Sequence, residues 1–263
     1  MKMLFKAPIS HGFPAIKAKH RQSRLMVIDT VASTNTWCKD NISNLNNGDI
    51  ITTLKQTKGR GRFKRKWFSA VNASIIMSTV IDGSLYKNPA CIGQSAAIAV
   101  AGFLKELGLR PQLKWPNDVM VRGRKISGIL LETAGHGMIV LGIGINISTS
   151  RTAFRKNGLA AIATSVKAES GMQLDCMMLL PLLILRLGKE LQLYRKKGLK
   201  HISTSWTKND FLKGKHIKVS QPGKTMTGKY IGLSTDGFLL LKTDAGRTEE
   251  LTSGDISVQL SKA

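Results

Sequence analysis

Apolar and polar positions alternate at strand spacing over several short stretches of the chain. Residues 25–29, LMVID, start the regular pattern, and further strands are expected at 49–55 and 73–81. Between the first two, Ser33 or Thr34 is a good N-cap for a short helix running to Ile42, and Asn46, Asn47 and Gly48 make a turn. Residues 89–107 carry many small side chains at helical spacing. Asn88 is the expected cap, Pro89 the first helical position and Gly108 the stop. Residues 111–119 run from a short strand into a turn at Pro116 and Asn117. Strands at 125–133 and 138–147 flank the loop 134–137, residues 151–172 read as loop and short helix, and 175–197 form the strongest helix, closed by Gly198.

From about Gly214 the pattern changes. Five short strands follow at turn-marked intervals, with turns at Pro222-Gly223, Asp236-Gly237 and Ala245-Gly246, which predicts a small all-β barrel. The expected fold is therefore α+β, a mixed or antiparallel sheet flanked by helices, followed by that barrel. Strict β-α-β alternation is missing, which disfavours a Rossmann sheet. The boundaries expected are an arm at 1–24, a main domain at 25–210 and the β domain at 211–263.

The chain has 263 residues, long enough to bury a sizeable core. Lys and Arg number 40 against 16 Asp and Glu, a net charge of +24 that favours acidic partners such as nucleic acid, anionic lipid, nucleotide phosphates or an acidic protein. Three cysteines without a CxxC pair, and five histidines without ligand spacing, argue against a disulfide framework or a zinc site and fit a reducing cytoplasm. The run 177–185 is far shorter than the ~20 residues a membrane span needs and is broken by Pro181. Residues 1–24 hold six basic residues and no acid, and read as a frayed arm or a targeting tail.

Four stretches can carry chemistry. In 58–67, KGRGRFKRKW, glycines let backbone N–H groups approach an anion and arginines add bidentate donors; taken alone, the loop leans towards a surface loop or a nucleic-acid contact rather than a ligand cradle. It matches neither a P-loop nor a dinucleotide fingerprint. In KWPND, Pro116 stiffens the turn that carries Lys114, and Asn117 and Asp118 offer oxygen ligands for Mg²⁺ or simply cap that turn. In KISGILLE, Lys125 precedes a strand broken by Gly128, a mark of close approach or of a bulge. In GIGIN, Gly142 and Gly144 open a surface beside Asn146, whose amide can read an adenine edge or end a strand.

The order of these blocks is more specific than any one of them. Ser33-Thr34-Asn35, then Gln56 to Trp67 (QTKGRGRFKRKW), then Lys114 to Asp118, then Lys125 to Glu132, then Gly142 to Asn146 resembles the biotin–protein ligase family, over roughly residues 25–260. The resemblance implies a class II synthetase-like catalytic domain with an SH3-like C-terminal domain. It implies an ATP-dependent ligase that makes biotinyl-5′-AMP from biotin and MgATP and passes biotin to a lysine of a carboxylase's biotin carboxyl carrier domain. A lipoate or octanoate ligase is the nearest alternative, and a basic nucleic-acid-binding module the more distant one. Monomer or homodimer, no membrane and no specific DNA binding are expected. Residues 1–24 are too short for the DNA-binding domain of the family's longer members, so a monofunctional form is expected.

By position, the resemblance places Ser33, Thr34, Asn35 and Gln56 at biotin, and Gly59, Arg60, Gly61 and Arg62 in a mobile loop that closes over biotin and adenylate. Lys114 is expected at the biotin carboxylate and acyl-phosphate, and Asn117 and Asp118 near Mg²⁺ and the acceptor lysine. Lys125 is expected at phosphate, Arg65, Trp67 and Asn146 on the nucleotide side, and Gly128 and Gly142 beneath biotin. Arg60, Arg62, Lys114, Asp118 and Lys125 are the expected catalytic set. One departure stands out: many members have glycine where this chain has Lys64.

Overall fold

The structure is a computed structural model that describes residues 3–9, 23–221 and 223–258. An eight-stranded sheet forms its centre, with the order β1-β2-β3-β4-β8-β7-β6-β5. The strands are β1 (Met3–Ile9), β2 (Ser23–Val31), β3 (Ile50–Gln56), β4 (Ser74–Asp82), β5 (Gln112–Lys114), β6 (Asp118–Val121), β7 (Arg124–Thr133) and β8 (Met138–Asn146). Only β2 and β3 pair in parallel, the other neighbours being antiparallel. Residues 3–9, expected to belong to an arm, thus form an edge strand on β2. The rest of that stretch, 10–22, lies outside the described residues.

One face of the sheet is packed by helices. Helix α2 (Ile92–Glu106) buries Ile92, Ala96, Ala97, Ala99, Val100, Ala101, Phe103 and Leu104, and its small side chains let it sit close to the strands. It starts three residues later than Pro89 because 89–91 make a 3₁₀ turn. Asn88 makes no side-chain cap; its carbonyl instead accepts the Tyr194 hydroxyl at 2.6 Å. Helix α5 (Cys176–Lys197) packs against α2, with Asp175 capping it through the Met177 and Met178 amides. A further helix, α6 (Leu199–Thr207), buries Trp206 and Ile202; its short apolar pattern directly after Gly198 escapes a reading by periodicity. Short helices α3 (Arg151–Lys156) and α4 (Val166–Ser170) occupy the stretch expected to be loop and short helix.

The other face carries α1 (Thr34–Asp40), capped by the Ser33 hydroxyl, over a smaller cluster of Met26, Ile28, Val31, Cys38, Ile51, Val80 and Val140. The remainder of that face is open.

The C-terminal segment folds as a five-stranded antiparallel sheet, with β9 (His216–Gln221), β10 (Lys224–Leu233), β11 (Leu239–Thr243), β12 (Thr248–Leu251) and β13 (Asp255–Val258) in the order β12-β11-β10-β9-β13. The two outer strands are consecutive in the chain, joined by residues 252–254. Four steps of 3.8 Å span at most ~15 Å, whereas a flat sheet would hold those strands ~19 Å apart. The sheet therefore curls on itself. Its loop at 234–238 docks on the main domain, where Trp115 Nε1 and Gln94 Nε2 both donate to the Gly237 carbonyl, at 3.1 and 2.6 Å.

Candidate active site

The open face holds a cavity of about 540 Å³, within the size range of small-molecule sites. Sheet register explains its floor. Lys114 pairs with Asp118, Asp118 with Gly128, and Gly128 with Gly144, so four strands contribute one row. Residues directly opposite one another project to the same face. The row therefore reads cation, carboxylate, glycine, glycine. Along β8 the period of two puts Gly142, Gly144 and Asn146 on that face together, over a length of ~13 Å. Glycine is required at two of these points. A Cβ on Gly142 would lie 2.1 Å from Asn35 Oδ1, and one on Gly144 2.6 Å from the Trp67 indole.

At the Gly142 end the polar groups hold one another. The Thr34 amide donates to Gln56 Oε1 at 2.9 Å, and Ser78 Oγ lies 2.7 Å from Thr34 Oγ1 and donates to Asn35 Oδ1 at 2.6 Å. Asn35 Nδ2 donates to Glu132 Oε2 at 3.0 Å and to the Leu130 carbonyl at 3.2 Å.

At the other end the charges gather. Lys125 Nζ stands 2.6 Å from Asp118 Oδ1 and 5.6 Å from the centre of the Trp67 ring. Lys114 makes no direct ion pair among the described residues. Burial pulls its pKa below that of a free lysine, although the charges of Asp118 and Asp255 work the other way. Asn117 locks its turn: its Nδ2 donates to the Ile129 carbonyl at 2.6 Å and its own carbonyl accepts the Ile129 amide at 2.9 Å. Its Oδ1 accepts from Arg62 at 3.3 Å, so this amide is engaged on both sides. Asn146 Nδ2 donates to the Thr164 carbonyl at 3.0 Å, which turns its Oδ1 toward Ser74 at 3.4 Å.

The glycine–arginine loop roofs the cavity as a narrow hairpin. Its arms join through Trp67 N to the Gly59 carbonyl at 2.9 Å and Gly61 N to the Arg65 carbonyl at 2.7 Å. A Cβ on Gly59 would meet the Trp67 carbonyl at 2.4 Å, so this glycine serves the approach of the two arms. The hairpin is tied down at three points. Arg60 donates to Glu132 Oε1 and to Thr36 Oγ1, both at 3.0 Å. Arg62 donates to the Gly254 carbonyl at 3.3 Å, and burial draws its pKa down. Arg65 makes a two-point ion pair with Asp255, one arm at 2.9 Å. At the tip Phe63 and Lys64 have φ of +53° and +58°.

Every residue assigned to the site from the sequence lines this cavity except Gly59. Sequence reasoning passed over Glu132, Ser78 and Asp255. Glu132 was visible as the last residue of KISGILLE, while Ser78 and Asp255 sit in ordinary strands and owe their places to pairing between distant segments. Among the described residues no cluster of three or more His, Cys, Asp or Glu is placed to hold a metal ion. No helix among them is long and apolar enough to cross a membrane.

Two family models match separate parts of the chain. Residues 27–149 match the model of the biotin/lipoate A/B protein ligase family, and 213–259 match that of the biotin protein ligase C terminal domain. The bifunctional ligase/repressor BirA of Salmonella typhimurium is 34% identical over 241 residues, 89% of this chain and 73% of that protein. The biotin–[acetyl-CoA-carboxylase] ligase of Paracoccus denitrificans is 29% identical, over 75% of this chain and 85% of its own length. Among solved structures, the biotin protein ligase of Aquifex aeolicus in complex with biotin and ATP superposes with a TM-score of 0.80 at 28% identity, covering 90% of this chain and 99% of that one.

Proposed function

The chain belongs to the biotin/lipoate A/B protein ligase family, and on that premise we propose that it activates biotin with ATP as biotinyl-5′-AMP and transfers it to a lysine of a carboxylase's biotin carboxyl carrier domain. The row Lys114–Asp118–Gly128–Gly144 carries this reading. It sets a partly dehydrated cation at the charged end of a glycine floor that runs on to a polar end. The neutral end, at Thr34, Asn35, Gln56 and Gly142, suits the ureido ring of biotin. The charged end, at Arg62, Lys125, Trp67 and Asn146, suits the nucleotide.

Attack of a carboxylate on the α-phosphate brings two anions together, forms the acyl–phosphate bond and releases pyrophosphate. The residues here lower that barrier by position and charge. Lys114 holds the carboxylate oxygen, Arg62 and Lys125 offset phosphate charge, and Trp67 walls the base. In the second half-reaction the acceptor lysine's amine attacks the acyl carbon and AMP leaves, with its phosphate still among these cations. The roof of arginines keeps water from the mixed anhydride between the two steps.

Mg²⁺ travels with the triphosphate and needs only one or two protein carboxylates. Asp118, whose Oδ1 already pairs with Lys125, would be the carboxylate to meet it, and the metal would supply further charge neutralisation. Asn117, with both amide atoms already bonded, supports the turn instead. Match to the biotin-type C-terminal domain favours biotin over lipoate. The test is isotope exchange between pyrophosphate and ATP. Exchange that requires biotin is expected, followed by biotin transfer to a purified carrier domain; exchange driven by lipoate or octanoate alone would move the chain to the lipoate branch.

A further inference from the structure

Glu132 stands outside the roles assigned so far, yet it touches both halves of the biotin end. Its side chain is only 16% exposed. Oε1 accepts Lys39 Nζ at 2.7 Å and Arg60 at 3.0 Å, and Oε2 accepts Asn35 Nδ2 at 3.0 Å. Burial, the largest single influence on this carboxyl, works to raise its pKa. The hydrogen bonds from Lys39 and Asn35 and the charges of Lys39 and Arg60 together outweigh it, so Glu132 stays ionised. One oxygen thus faces the roof and the other faces the floor, where the Asn35 amide fills the space that a side chain on Gly142 would take.

On the reading that this site activates biotin, we infer that Glu132 is a positioning residue that couples the biotin pocket to the closed roof. Two of the hairpin arginines are held at different ends of the cavity. Arg62 bonds Asn117 and the Gly254 carbonyl at the nucleotide end, whereas Arg60 bonds Glu132 and Thr36 at the biotin end. Arg60 is therefore a latch, and Glu132 is the fixed half of that latch. The same carboxylate orients Asn35. Its Oδ1 is turned toward Ser78 because its Nδ2 is held by Glu132 and Leu130. Biotin that displaces Asn35 also perturbs the partner of Arg60, which links filling of the pocket to closure of the roof.

The experiment uses the full chain and Glu132→Gln. This variant keeps an acceptor for Arg60 but removes the charge that holds Arg60 and Lys39 together. Three readouts are taken: the biotin KM and kcat of pyrophosphate exchange, release of free biotinyl-adenylate in the absence of acceptor, and tryptic cleavage of residues 58–66 with biotin and ATP present. The expected result is a rise in biotin KM and faster adenylate release, each by roughly two- to fivefold, the range for losing a partly exposed ion pair. Tryptic protection of the hairpin should be lost, with kcat of exchange little changed. In an Arg60→Gln background, Glu132→Gln should add nothing to release. A folded Glu132→Gln protein with normal adenylate retention and full protection overturns the inference, as does a double variant whose effects simply add. Should Glu132→Gln fail to fold, Arg60→Gln, on the exposed roof, reads the same contact from the other side and must show the same leak. Absence of biotin-dependent exchange in the unaltered protein would instead refute the functional reading.

Discussion

Lys64 occupies a left-handed backbone conformation, φ +58°, next to Phe63 at +53°. Two successive side-chain-bearing residues in this region cost about 1–2 kcal/mol each relative to glycine. The position at which this chain departs from the family pattern is thus a position where a glycine would sit without strain. Lys64→Gly should favour the closed hairpin by about 1 kcal/mol, offset in part by the glycine's freedom when the hairpin opens. It should slow adenylate escape without altering Tm, measurable as adenylate retention beside a thermal melt. Lys114 offers a second test. Lys114→Ala should cost about 3 kcal/mol of transition-state stabilisation, a loss of 10²-fold or more in the adenylation rate. Because burial lowers its pKa, the alkaline limb of adenylation should fall below the ~10.4 of free lysine. The protonated form is the useful one, so activity is lost as pH rises through that value. These two residues were legible in the sequence by motif alone. Glu132 was legible as a letter in a motif, but its partners Lys39, Asn35 and Arg60 come from two other segments, and no local pattern announces such a meeting.

Strand β8 shows how an element converts spacing into a surface. Its pattern G-x-G-x-N is a period-two pattern, which clears one face at Gly142 and Gly144 and sets Asn146 on the same side. The opposite face keeps Ile143 and Ile145 in the main core. Gly144→Ala would drive a methyl group to 2.6 Å from a rigid indole. Trp67 must then move, at about 1–3 kcal/mol, the range for overpacking. The expected outcome is a raised ATP KM with biotin affinity retained, since the Gly142 end is untouched; equilibrium binding of each ligand separately checks it. Most strands and the two long helices were readable from periodicity and caps. Strand β1, helix α6 and the 3₁₀ turn before α2 were not. An edge strand drawn from a basic arm, and a helix held chiefly by burial of Trp206 and Ile202, depend on tertiary packing that outweighs weak local preference. The row from Lys114 to Gly144 was also hidden, because register between four strands is a non-local fact.

Across the whole molecule, the roof over the cavity is fastened to both domains. Glu132 holds Arg60 from the main sheet, and Asp255 holds Arg65 from the C-terminal sheet. These two ion pairs differ in exposure. The Arg65 and Asp255 side chains are 63% and 42% exposed, against 16% for Glu132. Added salt should therefore loosen the Asp255 end first. The Arg65 hydrogen bond holds the Asp255 carboxyl below its usual pKa. A depressed carboxylate contributes its full share above the unfolded value near 3.9 and loses it as pH falls through the lower folded value. The tether is expected to be intact at pH 6–8 and to release only below about pH 4. Asp255→Asn should reproduce that release at neutral pH, seen as easier proteolysis at residues 58–66. The net charge of +24 was plain in the sequence, but its purpose was not, since cations are spread along the chain rather than gathered in one motif.

The tie between Arg65 and Asp255 joins residues 190 positions apart, and this has a consequence for the order in which the protein is made. Synthesis runs from the N-terminus, so the floor of the cavity is complete in sequence once Asn146 has emerged. The roof has its first fastening by then, because Arg60 and Glu132 both precede that point. Its second must wait for the last strand of the curled sheet. A nascent chain thus carries the floor strands of its cavity long before it holds the residues that complete the walls, and the Arg65 tie of the roof arrives only with β13.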